Sequence, residues 1–270
     1  MLNSVVCLKE VPDTADAKVD PKTGNLIREG IPSIINPYDI HAVEAAVRLK
    51  EQHGGMVIIL CMGPPKAKES VKKALGVGAD LGILVSDGGF AGSDTLATSY
   101  ILSEAIRKLM QEYQVDLIFC GKQAIDGDTA QVGPGIAARL RIAQLTYVTA
   151  INGVDVEQRE IEIVRKLEGG SETLLARLPA LITVEKSINE VRYSSFVNML
   201  QAARSEIQVW NKTTLGLDLA QIGLKGSPTT VSKIFTPPAK QGGKVRTGEP
   251  GPLVKELAGE LLNHVLVMDR

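Results

Sequence analysis

The chain has 270 residues, 44% of them hydrophobic and 23% charged, with a formal net charge of −1. A chain of this length buries a full core in one large domain or in one domain with an appendage, and we expect the second. Acidic and basic residues are interspersed and no apolar run approaches the roughly 20 residues that span a bilayer, which argues against nucleic acid, a membrane surface and membrane insertion as partners.

The first strand begins at once, with no charged leader or apolar signal core, so a cytoplasmic protein is expected. Cys7, Cys61 and Cys120 lie in or at the end of apolar runs without a C-x-x-C spacing, and read as buried, reduced thiols. His41, His53 and His264 are scattered without ligand spacing, so no metal site is expected.

In chain order, residues 4–8 (SVVCL) form a short apolar strand that residues 9–16 (KEVPDTAD) leave as a loop. Residues 18–28 suggest a small hairpin turning at Thr23-Gly24-Asn25. Asn36-Pro37-Tyr38-Asp39 then opens a helix with Ile40, Val43, Ala46 and Val47 on one stripe, Asp39 placed to cap its start and Gly54-Gly55 closing it. Residues 56–62 form a second buried strand, followed by Gly63, two prolines and a helix over 66–75; residues 81–85 form a third. Its exit, residues 86–94, is the most glycine-rich loop in the chain, and Asp94 is placed to cap a long helix over 95–113. That loop is either a second ligand loop or a flexible connection. Residues 115–120 and 145–151 make strands four and five, with a helix between.

Strands alternating with helices imply right-handed βαβ units and a doubly wound, mainly parallel α/β sheet. Ligands of such sheets sit beyond the carboxyl ends of strands, where strand order reverses; a reversal between strands one and four makes the exits at residues 7–11 and after Gly121 neighbours. Residues 160–167 and 172–178 flank Glu168-Gly169-Gly170-Ser171 and read as an inserted β-hairpin, with Pro179 before a further strand over 180–184. Beyond residue 190 the apolar blocks thin to a helix around 196–203, proline- and glycine-punctuated segments, and a terminal helix over 252–268 with Leu253, Leu257, Leu261, Leu262 and Val265 on one face. We therefore expect an α/β domain over residues 1–190 and a partner-contacting region over 191–270, whose extended arm lies on a partner subunit or on the chain's own core.

The stretch over residues 115–135, VDLIFCGKQAIDGDTAQVGPG, is an apolar strand that stops at Gly121 and opens into a polar loop. Gly127, Gly133 and Gly135 allow backbone close to a ligand, and Asp128 and Gln131 have the spacing of a helix-capping pair. Free N–H groups at the next helix N-terminus, with the helix dipole, hold phosphate without a basic side chain. Asp126 and Asp128 must then turn away from a diphosphate, by capping the helix or accepting from ribose hydroxyls, and Lys122 is the loop's cation. Pro134 places the helix start nearer Gln131 than Asp128. The competing reading is an ordinary strand-to-helix connection, and the loop alone does not distinguish AMP from FAD.

Gly121-Lys122-Gln123-Ala124-Ile125-Asp126, followed by Asp128 and Gln131, resembles the nucleotide loop of electron transfer flavoprotein beta subunits. Residues 163–183, IVRKLEGGSETLLARLPALIT, fit that family's fingerprint through Arg165, the acidic-glycine turn, Glu172 and Pro179. Asn36-Pro37-Tyr38, Gly63-Pro64 and Arg192-Tyr193 also line up, so the resemblance covers nearly the whole chain. It implies a Rossmann-like adenine-nucleotide-binding fold with a C-terminal arm embracing an alpha subunit that carries an FAD. Simple members hold AMP; members that bifurcate electrons bind a second FAD at the same place. The chain looks like the second branch at Gly127, in residues 90–98 (FAGSDTLAT), in Gly226-Ser227-Pro228-Thr229 and in Phe235-Thr236-Pro237. That likeness implies an FAD that takes hydride from NADH, or returns it to NAD, and divides its electrons between ferredoxin and the alpha-subunit FAD serving a dehydrogenase of the acyl-CoA or 2-hydroxy-acid type. No residue is expected to act as a catalytic acid or base, because the flavin carries the chemistry.

Carried over by position, Cys7, Asn36, Pro37, Tyr38, Asp39 and Met62 would line the adenylate half of the site. So would the loop residues Gly121, Lys122, Gln123, Ala124, Ile125, Asp126, Gly127, Asp128, Thr129, Ala130, Gln131 and Val132, while Asp94, Thr95 and Thr98 would lie nearer the flavin ring. Tyr193-Ser194-Ser195-Phe196 corresponds to the family's partner-recognition loop, with Phe196 as the anchor into a dehydrogenase beside Tyr193. Phe196 and Val197 replace the family's usual leucine and following proline; the alternative makes Phe196 the first core residue of its helix. Two rival functions stand beside this one: a simple beta subunit holding AMP, and a non-enzymatic nucleotide sensor of the universal-stress type, which leaves the hairpin and the arm without a use.

Overall fold

Strand β1 (Ser4–Leu8) is buried along its whole length. Its alternation sends Val6 and Leu8 into one apolar layer and Val5 and Cys7 into another. The same split recurs in β6 (Val57–Met62) and β8 (Leu117–Gly121), so the sheet needs a helical cover on both faces. The computed structural model describes residues 1–13, 18–19, 26–27, 32–230, 242–243 and 245–268, which fall into two compact units, Met1–Ile234 and Phe235–Arg270.

After β1 the chain makes β2 (Glu10–Pro12), β3 (Lys18–Val19), β4 (Leu26–Ile27) and β5 (Ser33–Ile35) before helix α1 (Pro37–His53). The expected hairpin is present as the antiparallel pair of β3 and β4, and its turn residues Thr23, Gly24 and Asn25 lie outside the described residues. Residues 10–12, expected as loop, pair instead with β5, Val11 opposite Ile34. Then follow β6, α2 (Lys68–Val77), β7 (Leu81–Val85), α3 (Thr95–Glu112), β8 and α4 (Val132–Leu140). A long β9 (Ala143–Asp155) leads into the hairpin of β10 (Glu160–Leu167) and β11 (Gly170–Arg177), and β12 (Ala180–Val184) returns to the sheet.

The sheet has nine strands in the order β11-β10-β9-β12-β8-β1-β6-β7 and last β13 (Gln208–Trp210). From β9 to β13 all neighbours are parallel; β10 and β11 extend the sheet antiparallel. The doubly wound, mainly parallel α/β fold read from the sequence is therefore present. α1, α2 and α5 (Phe196–Arg204) cover one face, and α3 and α4 the other. β1 lies between β6 and β8, which places the reversal of strand order between strands one and four and their carboxyl ends side by side.

Residues 191–230 fold with the first unit: α5 packs on α2, and β13, which the sequence reading missed, adds three residues to the sheet edge beside β7. Trp210, Leu217 and Ile222 then join the layer under α3. The second unit contains α6 (Pro250–Met268), which exposes Val254, Leu257, Leu261 and Leu262, while Arg246 pairs with Glu256 and Glu260. Phe235, Thr236 and Pro237 lie outside the described residues. No helix among the described residues is long and apolar enough to cross a membrane.

α3 and α4 touch closely because Gly135 has no side chain: a Cβ there would stand 2.8 Å from the Cβ of Ser99. Gly133 likewise faces Thr183 of β12, where an added Cβ would come within 2.6 Å. These glycines bring α4 close to α3 and to β12, whereas the sequence reading assigned them to a ligand's approach. Gly135→Ala should therefore cost about 1–3 kcal/mol by forcing the two helices apart. Ser99→Gly in the same chain should recover part of the loss, measured by urea denaturation midpoints; an unchanged midpoint for Gly135→Ala would refute the contact.

Candidate functional site

Where β1 and β8 end, one buried carboxylate joins three segments. Asp39, 6% exposed in the first turn of α1, accepts the Lys9 N–H at 2.7 Å through Oδ2. Through Oδ1 it accepts the Gly121 N–H at 3.0 Å and the Asn36 amide at 2.9 Å. The expected side-chain cap is not made: Asn36 is the N-cap residue, Pro37 occupies the first turn, and Asp39 spends its oxygens on the strand exits. Gly121 must be glycine for this, since a Cβ would meet Asp39 Oδ1 at 2.3 Å.

Asn36, also buried, passes the constraint on. Its amide donates to the Gln123 carbonyl at 2.9 Å, and its oxygen accepts the Ile125 N–H at 3.2 Å, fixing the loop after β8. The loop then turns on Ala124, whose carbonyl accepts the N–H groups of Gly127 and Asp128. Asp128 and Ala130 both adopt positive φ, 49° and 54°, on either side of Thr129. Alternating handedness of this kind curls successive N–H groups toward one point, a concavity suited to an anion. Among the described residues, the N–H groups of Thr129, Ala130, Gln131 and Val132 have no acceptor, and the last two open α4.

The two aspartates of the loop are each engaged by a side chain of this chain. Asp126 pairs with Lys9 Nζ at 2.7 Å, and Asp128 accepts from the Gln123 amide at 2.7 Å. The capping pair expected of Asp128 and Gln131 is not formed, because the positive φ at 128 and 130 breaks the geometry it needs. Gln131 is itself the N-cap residue, without a side-chain cap, as Pro134 required. Its side chain accepts instead from Thr95 Oγ1 at 2.8 Å. Thr95 is the first residue of α3, so the N-termini of α3 and α4 are tied together beside the loop.

Asp94 caps α3 as expected, accepting the N–H groups of Leu96 and Ala97 at 2.9 and 3.0 Å. Thr98 follows in the first turn, half-buried. Met62 ends β6, Cys7 is the last residue but one of the neighbouring β1, and Cys120 hydrogen-bonds with Cys7. Lys122 is directed to Glu185 at 3.0 Å, with its ammonium over the rings of Tyr147 and Tyr38; Lys186 covers Tyr38 at 4.8 Å. Lys9, Ser227 and Thr229 also touch this region, and the sequence reading gave none of them a polar role toward Asp126 or Asp94. Lys9 pairs with a residue 117 positions away, which no local pattern reveals.

The three thiols are buried and free. Burial pushes the Cys61 thiol up to about 12, and a hydrogen bond with Cys7 together with burial raises Cys120, so neither is poised as a nucleophile. No group of metal-binding side chains occurs among the described residues. Away from these strand ends, Tyr193 is 99% and Phe196 76% exposed on the segment entering α5, which excludes Phe196 from the core of this chain. That segment is fixed to α1 by Arg192, which bonds Glu44 and Glu51, and by the reciprocal contacts of Asn189 with His41.

Burial pushes the Asp39 carboxyl up from 3.8 to about 7, against the donations from Asn36, Lys9 and Gly121, which lower it. The folded chain then holds this proton more tightly than the unfolded one. Its contribution to stability is greatest below about pH 4 and declines as pH rises to about 7, by at most roughly 1.4 kcal/mol per unit. Asp39→Asn turns an NH2 against an N–H donor and should cost about 1–3 kcal/mol at pH 5. The deficit should shrink by pH 7.5 because the variant lacks the titration; urea titrations giving one constant deficit would contradict the assignment.

The family described as "Electron transfer flavoprotein domain" matches residues 23–215. Protein FixA of Azotobacter vinelandii is 54% identical over 237 residues, 87% of this chain and 84% of its own. The electron transfer flavoprotein subunit beta of Clostridium acetobutylicum is 46% identical over 244 residues, 90% of this chain and 92% of its own. Subunit CarD of the caffeyl-CoA reductase-Etf complex of Acetobacterium woodii is 45% identical over 260 residues, 96% of each chain. The chain therefore belongs to the electron transfer flavoprotein family, among its beta-type subunits.

Proposed function

We propose that this chain is the beta subunit of an electron-bifurcating electron transfer flavoprotein, paired with an alpha subunit and holding an FAD of its own at the ends of β1 and β8. The observation that carries the reading is the joining of two helix N-termini, α3 and α4, through Thr95 and Gln131 beside a loop with unpaired N–H groups. One helix terminus suits a single phosphate; two side by side, with open space at Gly127, suit a diphosphate that continues past an adenylate.

When bound, FAD supplies hydride exchange with NADH and one-electron transfer, to ferredoxin and to the alpha-subunit FAD. The chain's own residues bind and orient it. The N–H groups of residues 129–132 hold the phosphates, and the Asn36–Asp39 pair keeps the loop in place. Asp94, Thr95 and Thr98 stand at the α3 terminus, where the ring half would lie, and Cys7 and Met62 floor the adenylate half. The buried thiols add no reactive group beside the cofactor. The exposed Tyr193 and Phe196 form the docking point for a dehydrogenase, and CarD, named for a caffeyl-CoA reductase complex, favours an acyl-CoA type. The proposed compartment is the cytoplasm, where NADH and ferredoxin meet.

Cofactor counting on the copurified heterodimer should give two FAD per pair; one FAD with one AMP would make this a simple subunit, and no flavin would make it a sensor. NADH-dependent ferredoxin reduction should require the dehydrogenase's acceptor, and reduction indifferent to it would exclude bifurcation. Phe196→Ala should raise the KM for the partner dehydrogenase at least about tenfold, as loss of an aromatic anchor does. NADH oxidation by an artificial dye should stay unchanged; unaltered coupled turnover would remove Phe196 from the interface.

A further inference from the structure

The glycine-rich loop after β7 is gripped at both ends by one segment of the chain. At its start, Asp87 accepts the Gly89 N–H at 2.7 Å and the Lys212 ammonium at 3.0 Å. At its end, Asp94 Oδ2 accepts the Thr229 hydroxyl at 2.8 Å and the Thr229 N–H at 3.2 Å. The Asp94 N–H donates to Ser227 Oγ at 2.8 Å, and that hydroxyl, buried, donates to the Gly223 carbonyl at 2.7 Å. Between the two ends the Gly223 N–H donates to Ser93 Oγ at 3.1 Å. β13 delivers the segment, with Trp210 paired to Val85 and its carbonyl accepting the Ser86 N–H.

Asp94 thus has one oxygen on the α3 terminus and the other on Thr229, and Thr95 next to it carries the link to Gln131. Burial raises the Asp94 carboxyl, but the bonds from Ala97, Thr229 and Leu96 outweigh it and hold the group below its ordinary value, so it stays an anion and keeps both contacts. The adenylate half rests on a different set of bonds, those of Asn36 and Asp39, which involve no residue of the 212–229 segment.

We propose that Ser227 and Thr229, with Lys212 at the other end, are specificity-determining positioning residues: through Asp87 and Asp94 they hold the α3 terminus and the glycine-rich loop where a dinucleotide's second half must lie, and so set the preference for FAD over AMP. This rests on the function proposed above. Neither Ser227 nor Thr229 needs to touch the ligand, since each acts through Asp94.

The test is a titration of the purified heterodimer, its beta-site ligand removed, with FAD and separately with AMP. The Ser227→Ala/Thr229→Val double variant should weaken FAD about tenfold, the scale of one hydrogen bond to a charged group, while AMP changes by less than about twofold. Lys212→Met should show the same split from the other end of the loop, and retained AMP binding marks a folded site. Equal weakening of both ligands, or no change in either, would overturn the inference alone. A wild-type heterodimer that takes AMP and no FAD would overturn it together with the proposed function.

Discussion

The arrangement at the carboxyl ends of β1 and β8 depends on one buried carboxylate. Asp39 receives the β1 exit, the β8 end and the helix-capping Asn36 at a single point, and Asn36 extends the hold to residues 123 and 125 of the loop. Three donors and the N-terminus of α1 offset only part of the cost of burying the group, and the remainder shows in its raised pKa. The bare α-carbon of Gly121 is the other half of the same device, because no other residue lets the carboxylate reach the β8 N–H. The loop after β8 is thereby set by residues whose polar atoms are already spent inside the protein.

This division explains what the sequence disclosed and what it hid. The central strands were legible because both their faces are apolar, and β7's glycine-rich exit with a capping Asp94 has a local signature that the fold reproduces. The loop over residues 121–132 was legible as a polar connection from a strand to a helix. Its internal bonding was not, since Asp39 meets Gly121 across 82 positions and Lys9 meets Asp126 across 117. Glycines misled in a particular way: Gly133 and Gly135 look like ligand glycines by spacing, yet they serve close packing against Thr183 and Ser99. β13 escaped notice because three residues carry no measurable period.

The charges around the site follow from the same economy. Lys9 is paired with Asp126 and Lys122 with Glu185, so neither nearby ammonium stands unpaired beside the loop. Beside them stand the Lys186 ammonium over Tyr38, the N–H groups of residues 129–132 and the two joined helix ends. The backbone donors among these are fixed in direction and do not titrate. An anion held this way leaves the surrounding side chains free of any charge requirement from the phosphates. In the proposed function, the field at the far half of the site would be set by the 87–94 loop and its brace. In the function proposed above, Asn36 and Asp39 would anchor the near half and Asp94, Ser227 and Thr229 the far half, with the bond of Thr95 to Gln131 joining the two.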